Sequence, residues 1–218
     1  MIIQKSKRMR EVVYDQLKEL IIDGTLQPGN RIIETDYAEK FQISRTPIRE
    51  AIRMLELEGL VESQSKGGVT VTGIHKSDID EIYKIRIALE EIILKEVILK
   101  ASSNDVQRLD TLMEKTKNIL NDKDKIDDVF KLYSLFNNIL YEIAKLNRVT
   151  EMIKNLNLYM KRFRRMSIDS GRRKDLAFND HKAIIKAIKE KDTKEALKIN
   201  KKHLEESKDF IIDNFKIL

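Results

Sequence analysis

The spacing of apolar residues in the first part of the chain predicts three helices. The first spans about residues 7–23, where apolar side chains recur every three or four positions. A short helix over about residues 34–41 and a longer one over about residues 44–58 follow closely. Ser44 is a residue type that favours helix N-caps, and Pro47 falls in a first turn, where its missing N–H is tolerated. The pattern therefore predicts two helices joined by a tight turn.

Two short runs after the third helix alternate between apolar and polar residues in the manner of strands. They cover residues 60–63 and 69–72, and the intervening residues 64–68 include a lysine and two glycines. This pattern predicts a β-hairpin with a basic, glycine-containing tip. Residues 31–33 are too short for more than an edge strand. The predicted order is helix, turn, helix, hairpin.

The rest of the chain has helical spacing and almost no helix breakers. Both prolines and six of the seven glycines precede residue 74. The later helices cover about residues 76–100, 104–122, 126–146, 148–167, 175–191 and 192–215. Such helices bury their apolar stripes against antiparallel partners. We therefore predict a mainly α protein, with a domain of three helices and a β-hairpin over residues 1–74 and an all-α antiparallel helical bundle over residues 75–218.

Composition excludes several classes of protein. The 218 residues include no cysteine, which excludes a disulfide framework, a thiolate zinc site and a cysteine nucleophile. No window reaches the roughly 18 apolar residues of a membrane span, and the N-terminus lacks the apolar segment of a signal peptide. We expect a soluble, cytoplasmic protein with no membrane partner. G-x-S-x-G, P-loop and G-x-G-x-x-G motifs are absent, so we expect no enzymatic activity.

The net charge of +6 does not by itself point to nucleic acid. Residues 1–74 carry 11 of the 42 basic residues and 11 of the 36 acidic ones, so this part is neutral and the whole excess lies in the helical part. The placement of the basic residues is therefore the informative feature.

The third predicted helix begins with side chains suited to DNA. Arg45 and Arg49 are four residues apart and share one face, and a guanidinium can pair bidentately with O6 and N7 of guanine. Ser44 and Thr46 can bond phosphates or base edges, and Lys66 in the hairpin tip can reach the DNA backbone. The alternative is that the arginines merely solvate a surface helix. The helix-turn-helix spacing and the hairpin that follows favour DNA binding.

The residues themselves resemble a known family. The stretches IIDGTLQPGNRIIE, FQISRTPIREAIRMLELEGLVE and KGGVTV are similar to the winged helix-turn-helix of the GntR family of bacterial transcription regulators. The resemblance implies that Arg45, Thr46 and Arg49 contact an operator and that Gly67 and Gly68 form the wing tip. Thr35 stands where some family members carry a DNA-contacting arginine.

The helical part resembles the FCD effector domain of the FadR-type subfamily. The similar segments, in chain order, are IYKIRIALEEIILKEV, LFNNILYEIA, NDHKAIIKAIKEKD and KKHLEES. In many such domains an aspartate and three histidines hold a divalent metal that helps to bind a carboxylate. Tyr133 and Asn137 occupy the first two of these positions here, whereas His181 and His203 retain the family's histidines.

The chemistry of these four residues leaves two interpretations open. Two imidazoles alone are a weak site for Zn or Ni, because a phenol with a pKa near 10 and a neutral amide add little. No cofactor is certain on this basis. The alternative is that His181 and His203 face a cavity and are hydrogen-bonded to Tyr133 or Asn137. On this interpretation we expect the four polar side chains to line an effector pocket. Arg86, which matches an arginine common in the family, then either anchors an anionic effector or forms an ion pair with Glu90.

A basic run follows in the helical part. Its members are Lys161, Arg162, Arg164, Arg165, Arg172, Arg173 and Lys174. A run of this kind usually forms a solvated face, although one member could point inward to the effector.

These patterns predict a ligand-responsive transcription regulator that is not an enzyme. We expect a homodimer on a pseudo-palindromic operator, repression as the mode of action, and a small organic acid as the effector. Two alternatives are a constitutive DNA-binding protein whose pocket has decayed, and a metal-dependent binding protein or enzyme that uses the bundle.

Overall fold

A computed structural model describes residues 8–65, 68–73, 75–169 and 172–214, without the side chains of residues 159, 161, 162, 164–169 and 172. The chain divides into two compact units, of which one ends at His75 and the other begins at Lys76.

The first unit contains three helices and a three-stranded antiparallel sheet. In chain order these are α1 (Met9–Ile22), β1 (Arg31–Ile32), α2 (Glu34–Phe41), α3 (Arg45–Leu57), β2 (Val61–Ser63) and β3 (Val69–Val71). The strand order is β1-β3-β2, so the predicted hairpin is extended by β1 at its edge. The register pairs Ile32 with Val69, and Val61 with Val71.

The turn between α2 and α3 is tight because its first residue takes a left-handed conformation. Gln42 has φ 56°, and the N–H of Ile43 donates to the carbonyl of Ala38 at 3.0 Å. Ser44 is the N-cap residue of α3, as predicted, although its side chain makes no capping hydrogen bond. Only three residues therefore separate the end of α2 from the start of α3.

One face of α3 builds the core of this unit. Its buried residues are Ile48, Ala51, Ile52 and Leu55, the four that helical spacing indicates. They pack against α1, which buries Val13 and Leu17. The opposite face of α3 is left to solvent, and it carries the arginines.

The second unit is all-helical where the structure describes it. Its long helices are α4 (Lys76–Lys100), α5 (Ser103–Ile119), α6 (Ile126–Ala144), α7 (Asn147–Asp169), α8 (Arg172–Lys189) and α9 (Thr193–Asn214), and a 3₁₀ turn precedes α6. Helices α4, α6, α8 and α9 pack around one continuous apolar core, which α5 completes. The predicted fold class, a winged helix-turn-helix with an all-helical bundle, is confirmed. None of the described helices combines the length and the low charge that a bilayer crossing requires.

Candidate nucleic-acid interface and effector site

Arg45 and Arg49 lie on the exposed face of α3 and share one carboxylate. Nε and Nη2 of Arg49 donate to Oε1 and Oε2 of Glu34 at 2.9 and 2.8 Å, and Nη2 of Arg45 donates to Oε2 at 3.2 Å. The side chains of Arg45 and Arg49 are 58% and 53% exposed, whereas that of Glu34 is 23% exposed. Both guanidinium groups therefore face solvent while a residue of α2 holds them in place.

The ion pair between Glu34 and Arg49 favours the charged form of both side chains. The hydrogen bond from Arg49 lowers the pKa of Glu34 below its ordinary value, and the same bond raises the pKa of Arg49. Glu34 is thus a carboxylate and Arg49 a cation at any pH near neutrality.

An open cleft of about 680 Å³ adjoins the start of α3. Its lining residues are Arg8, Met9, Arg10, Ile43, Ser44, Thr46, Pro47 and Glu50. Two arginines from the start of α1 and two hydroxyl side chains from the start of α3 thus meet in one concave surface. A helix N-terminus flanked by such groups suits a DNA phosphate, because its backbone N–H groups and its dipole favour negative charge.

Gly68 is the described residue of the predicted wing tip. It has φ +76°, and a Cβ built on it would lie 3.1 Å from the carbonyl oxygen of Ile32. Only glycine suits both constraints, so Gly68 allows β1 to approach the hairpin. The other predicted wing residues, Lys66 and Gly67, lie outside the described residues.

Arg86 is a buried cation inside the helical bundle. Its side chain is 3% exposed, and Nη2 donates to Oε1 of Glu90 at 2.9 Å, so the ion pair offered by the sequence forms. Oε2 of Glu90 accepts a hydrogen bond from Asn200 at 3.3 Å. Nε and Nη1 of Arg86 are buried and have no hydrogen-bond partner among the described residues. A buried N–H without a protein partner needs an acceptor from water or a ligand, because leaving it unpaired in an interior is costly.

Three of the five predicted effector residues come together around His181 of α8. The ring of His181 stacks on that of Phe136 at 4.1 Å and meets the edge of Tyr133 at 4.8 Å, and the rings of His181 and His203 are 5.4 Å apart. The Tyr133 hydroxyl donates to the carbonyl of Lys174 at 2.7 Å, so it donates its proton to neither histidine. Asn137 is half-buried one turn further along α6.

Arg173 is the member of the basic run that points inward. It is 4% exposed, and its guanidinium donates to the carbonyl of His203 at 2.6 Å and to Glu206 at 3.2 Å. Nδ1 of His203 lies 2.9 Å from Oδ2 of Asp180. Burial lowers the pKa of His203, so its imidazole is neutral at neutral pH. The structure does not describe five side chains of the basic run, namely those of Lys161, Arg162, Arg164, Arg165 and Arg172.

Family comparisons agree with this division of the chain. The family model for bacterial regulatory proteins of the gntR family matches residues 9–71, and the model for the FCD domain matches residues 81–206. The second match alone covers more than half of the 218 residues.

The chain belongs to the GntR family of bacterial regulatory proteins.

Relatives of this GntR regulator are transcription regulators. It is 32% identical to the HTH-type transcriptional regulator YdhC of Bacillus subtilis (strain 168), over 85% of this chain and 82% of YdhC. It is 26% identical to the gluconate operon transcriptional repressor of Bacillus licheniformis, over 81% of this chain and 74% of the repressor. The solved structure of Escherichia coli McbR/YncC shares the fold, with a TM-score of 0.70, 21% identity, and coverage of 95% of this chain and 99% of McbR. The prediction that the chain is not an enzyme is confirmed.

The metal site that the FCD resemblance implies does not fit the side chains of this GntR regulator. Burial raises the pKa of Tyr133, so the phenol keeps its proton and is no anionic ligand. The carboxylate of Asp180 contacts Nδ1 of His203, which is the arrangement in which a carboxylate outside the coordination sphere orients a metal-bound histidine. In the described part of the chain, however, no cluster of three His, Cys, Asp or Glu side chains could hold a metal. The divalent metal stays a prediction from the sequence.

Sequence reasoning missed Asp180 and Glu34, and it left open which member of the basic run points inward. Arg173 lies on the helical phase of Ala177 and Ile184, both buried, and this phase is the signal that would have identified it. Asp180 and Glu34 had no such signal, because each is defined by a partner on another helix.

Proposed function

We propose that this GntR regulator is a homodimeric, cytoplasmic repressor that binds a pseudo-palindromic operator and is switched by a small carboxylate effector. The N-terminal end of α3 enters the major groove, where Arg45 and Arg49 read base edges while Ser44 and Thr46 bond phosphates. The observation that carries the DNA assignment is the pair of exposed guanidinium groups at the first turn of a helix-turn-helix.

The test of DNA binding is the variant Arg49→Ala. We expect it to weaken binding to a duplex enriched from a random-sequence library by the wild-type protein, by about 1–3 kcal/mol, and to relax base preference at one position of each half-site. Fluorescence anisotropy measures both effects.

The matched control is Arg108→Ala in the helical unit. Arg108 is 44% exposed and also bonded to a glutamate, Glu142, at 2.8 Å. Its removal takes away the same charge, and we expect unchanged base preference. Equal effects of the two variants would contradict the role of Arg49.

We propose that the effector binds at the buried polar groups of the bundle. Arg86 carries buried N–H donors on Nε and Nη1 without a partner among the described residues, and the carboxylate of an effector could accept a charge-assisted hydrogen bond from one of them. Asn200 of α9 donates to Glu90, the ion-pair partner of Arg86, and His203 lies one turn further along α9. Polar side chains of α9 therefore connect Arg86 to the cluster around Arg173. The similarity to a gluconate operon repressor supports a hydroxylated carboxylic acid as the first compound to test.

A dimer through α4 is supported by an exposed apolar stripe. Ile85, Ile92 and Leu99 are 42%, 44% and 77% exposed and recur every seven residues, on the face opposite the buried side of the helix. Apolar residues at this spacing form a seam that a second helix covers. Two copies of α3 double the base contacts, which one recognition helix supplies in small number.

Effector binding switches the regulator by favouring one arrangement of the dimer. The effector must bind that arrangement more tightly than the other, and operator affinity then changes by the same coupling factor.

A further inference from the structure

We propose that Glu34 is a positioning residue for base recognition, which fixes the guanidinium of Arg49 so that one edge of it is presented to guanine. This inference rests on the proposed DNA-binding function. It concerns a residue of α2, the helix before the recognition helix, and assigns it a role in specificity.

The hydrogen bonds to Glu34 use one edge of the Arg49 guanidinium. This group carries five N–H donors in a rigid plane. The carboxylate takes one donor on Nε and one on Nη2, at 2.9 and 2.8 Å. The remaining donors, on Nη1 and Nη2, form a second fork at the end of the side chain. That fork has the geometry for O6 and N7 of a guanine.

Glu34 is well placed to hold this orientation. It is the first residue of α2 and follows β1 after a single residue, so paired strand and helix fix its backbone on both sides. Its side chain is 23% exposed, compared with 53% for Arg49. A free arginine side chain loses rotamer freedom when it binds a base, and this loss opposes binding. The bidentate bond to Glu34 has already restricted the rotamers of Arg49, so less freedom is lost on binding DNA.

The charge of Glu34 and its hydrogen bonds to Arg49 have opposite effects on DNA binding. A carboxylate near the DNA surface repels phosphates, so its removal should strengthen DNA binding irrespective of sequence. Loss of the positioning bonds should weaken recognition of guanine. The ratio of affinities for two duplexes therefore separates a positioning role from a purely electrostatic one.

The experiment compares full-length variants on two duplexes. One is the duplex enriched from a random-sequence library by the wild-type protein, and the other has the conserved guanines of its half-sites replaced by adenine. We expect Glu34→Gln to lower the ratio of the two affinities by about tenfold. Affinity for the adenine-substituted duplex should remain equal or increase. Glu34→Asp retains the charge but shortens the side chain, and we expect it to lower the ratio as well.

Two controls accompany the measurement. Glu39→Gln removes the same charge from an exposed position of α2 and should leave the ratio unchanged. In the Arg49→Ala background, Glu34→Gln should have no further effect on the ratio, because the two residues act as a unit. Thermal unfolding of each variant shows whether the N-terminal domain is still folded.

The outcomes distinguish this inference from the proposed function. An unchanged ratio for Glu34→Gln and Glu34→Asp, when Arg49→Ala lowers it, overturns the positioning role and leaves DNA reading by Arg49 in place. An unchanged ratio for Arg49→Ala overturns both.

Discussion

At the scale of single residues, the bundle interior keeps an ion pair that stability alone does not explain. Arg86 and Glu90 are 3% and 10% exposed, and desolvating both charges offsets much of their attraction. Nε and Nη1 of Arg86 add an unsatisfied donor pair within the described structure. Tyr83 compensates in part, since its ring lies 5.0 Å below the guanidinium. The effector-binding role proposed for Arg86 would account for this cost.

We therefore predict that a single substitution at this pair lowers the free energy of unfolding and that a double substitution restores it. Arg86→Met should destabilise the protein by about 3–5 kcal/mol, because it leaves the Glu90 carboxylate buried and unpaired. Arg86→Met with Glu90→Leu should be within about 1 kcal/mol of the wild type, or more stable. Urea denaturation measures both values.

The same double variant tests the effector assignment. Thermal shift with gluconate as the probe should be lost in the double variant although it folds. A double variant much less stable than the wild type would show that the pair is structural, and a retained gluconate shift would place the site elsewhere.

At the scale of single elements, local capping decides where helices begin. Helix α5 starts after Ser102, whose Oγ accepts a hydrogen bond from the N–H of Asp105, while the Asp105 carboxylate accepts from the N–H and Oγ of Ser102. The bonds from Ser102 lower the pKa of Asp105 below its ordinary value. Helix α5 consequently begins one residue earlier than its apolar spacing indicates.

The capping box gives a prediction with a defined pH dependence. Asp105→Ala should destabilise the protein by about 1 kcal/mol near neutral pH. Because the pKa of Asp105 is lowered by folding, its contribution is present above the ordinary carboxyl pKa and is lost as pH falls through the folded value. The difference in Tm between wild type and variant should thus shrink from about pH 5 to about pH 3.

Asp110→Ala is the control on the same helix. Asp110 bonds to Lys189 at the surface, so we expect a change of about 0.5 kcal/mol or less. A difference in Tm that stays constant from about pH 5 to about pH 3 would count against the capping role of Asp105.

At the scale of the whole molecule, each unit has its own core and is complete as a fold. The apolar stripe on α4 stays exposed to solvent in a single chain. We predict that Ile92→Glu raises the dimer dissociation constant by at least about 100-fold, because a symmetric interface would bury two charges. Sedimentation velocity measures the change, and binding to a two-half-site duplex should weaken with it.

Leu135→Glu is the matched control for this variant. Leu135 is 43% exposed on α6, compared with 44% for Ile92, but residues seven positions away on either side are Asp128 and Glu142. It therefore belongs to no apolar stripe, and its variant should sediment as the wild type does. Dissociation by Leu135→Glu and not by Ile92→Glu would move the interface from α4 to α6.

Much of the fold could be predicted because periodicity encodes which side of an element is buried. The four inward residues of α3, the hairpin strands and the helices of the second unit follow from spacing alone, and α4 begins and ends where its pattern does. The candidate DNA-binding side chains were also visible, since Arg45 and Arg49 share one face of a single helix. Periodicity is less informative where a polar residue carries the inward phase, as Arg173 does.

The sequence by itself determined the order of elements, the change of architecture near residue 75 and the family. These depend on interactions between residues a few positions apart, or on motifs within one segment. Only the tertiary structure decided that Glu34 holds Arg49 across 15 positions, that Arg173 reaches His203 across 30, and that Tyr133 donates to the carbonyl of Lys174. The reason is physical: a local pattern gives the side of a helix that is buried, whereas the partner of a polar group depends on how separate elements pack.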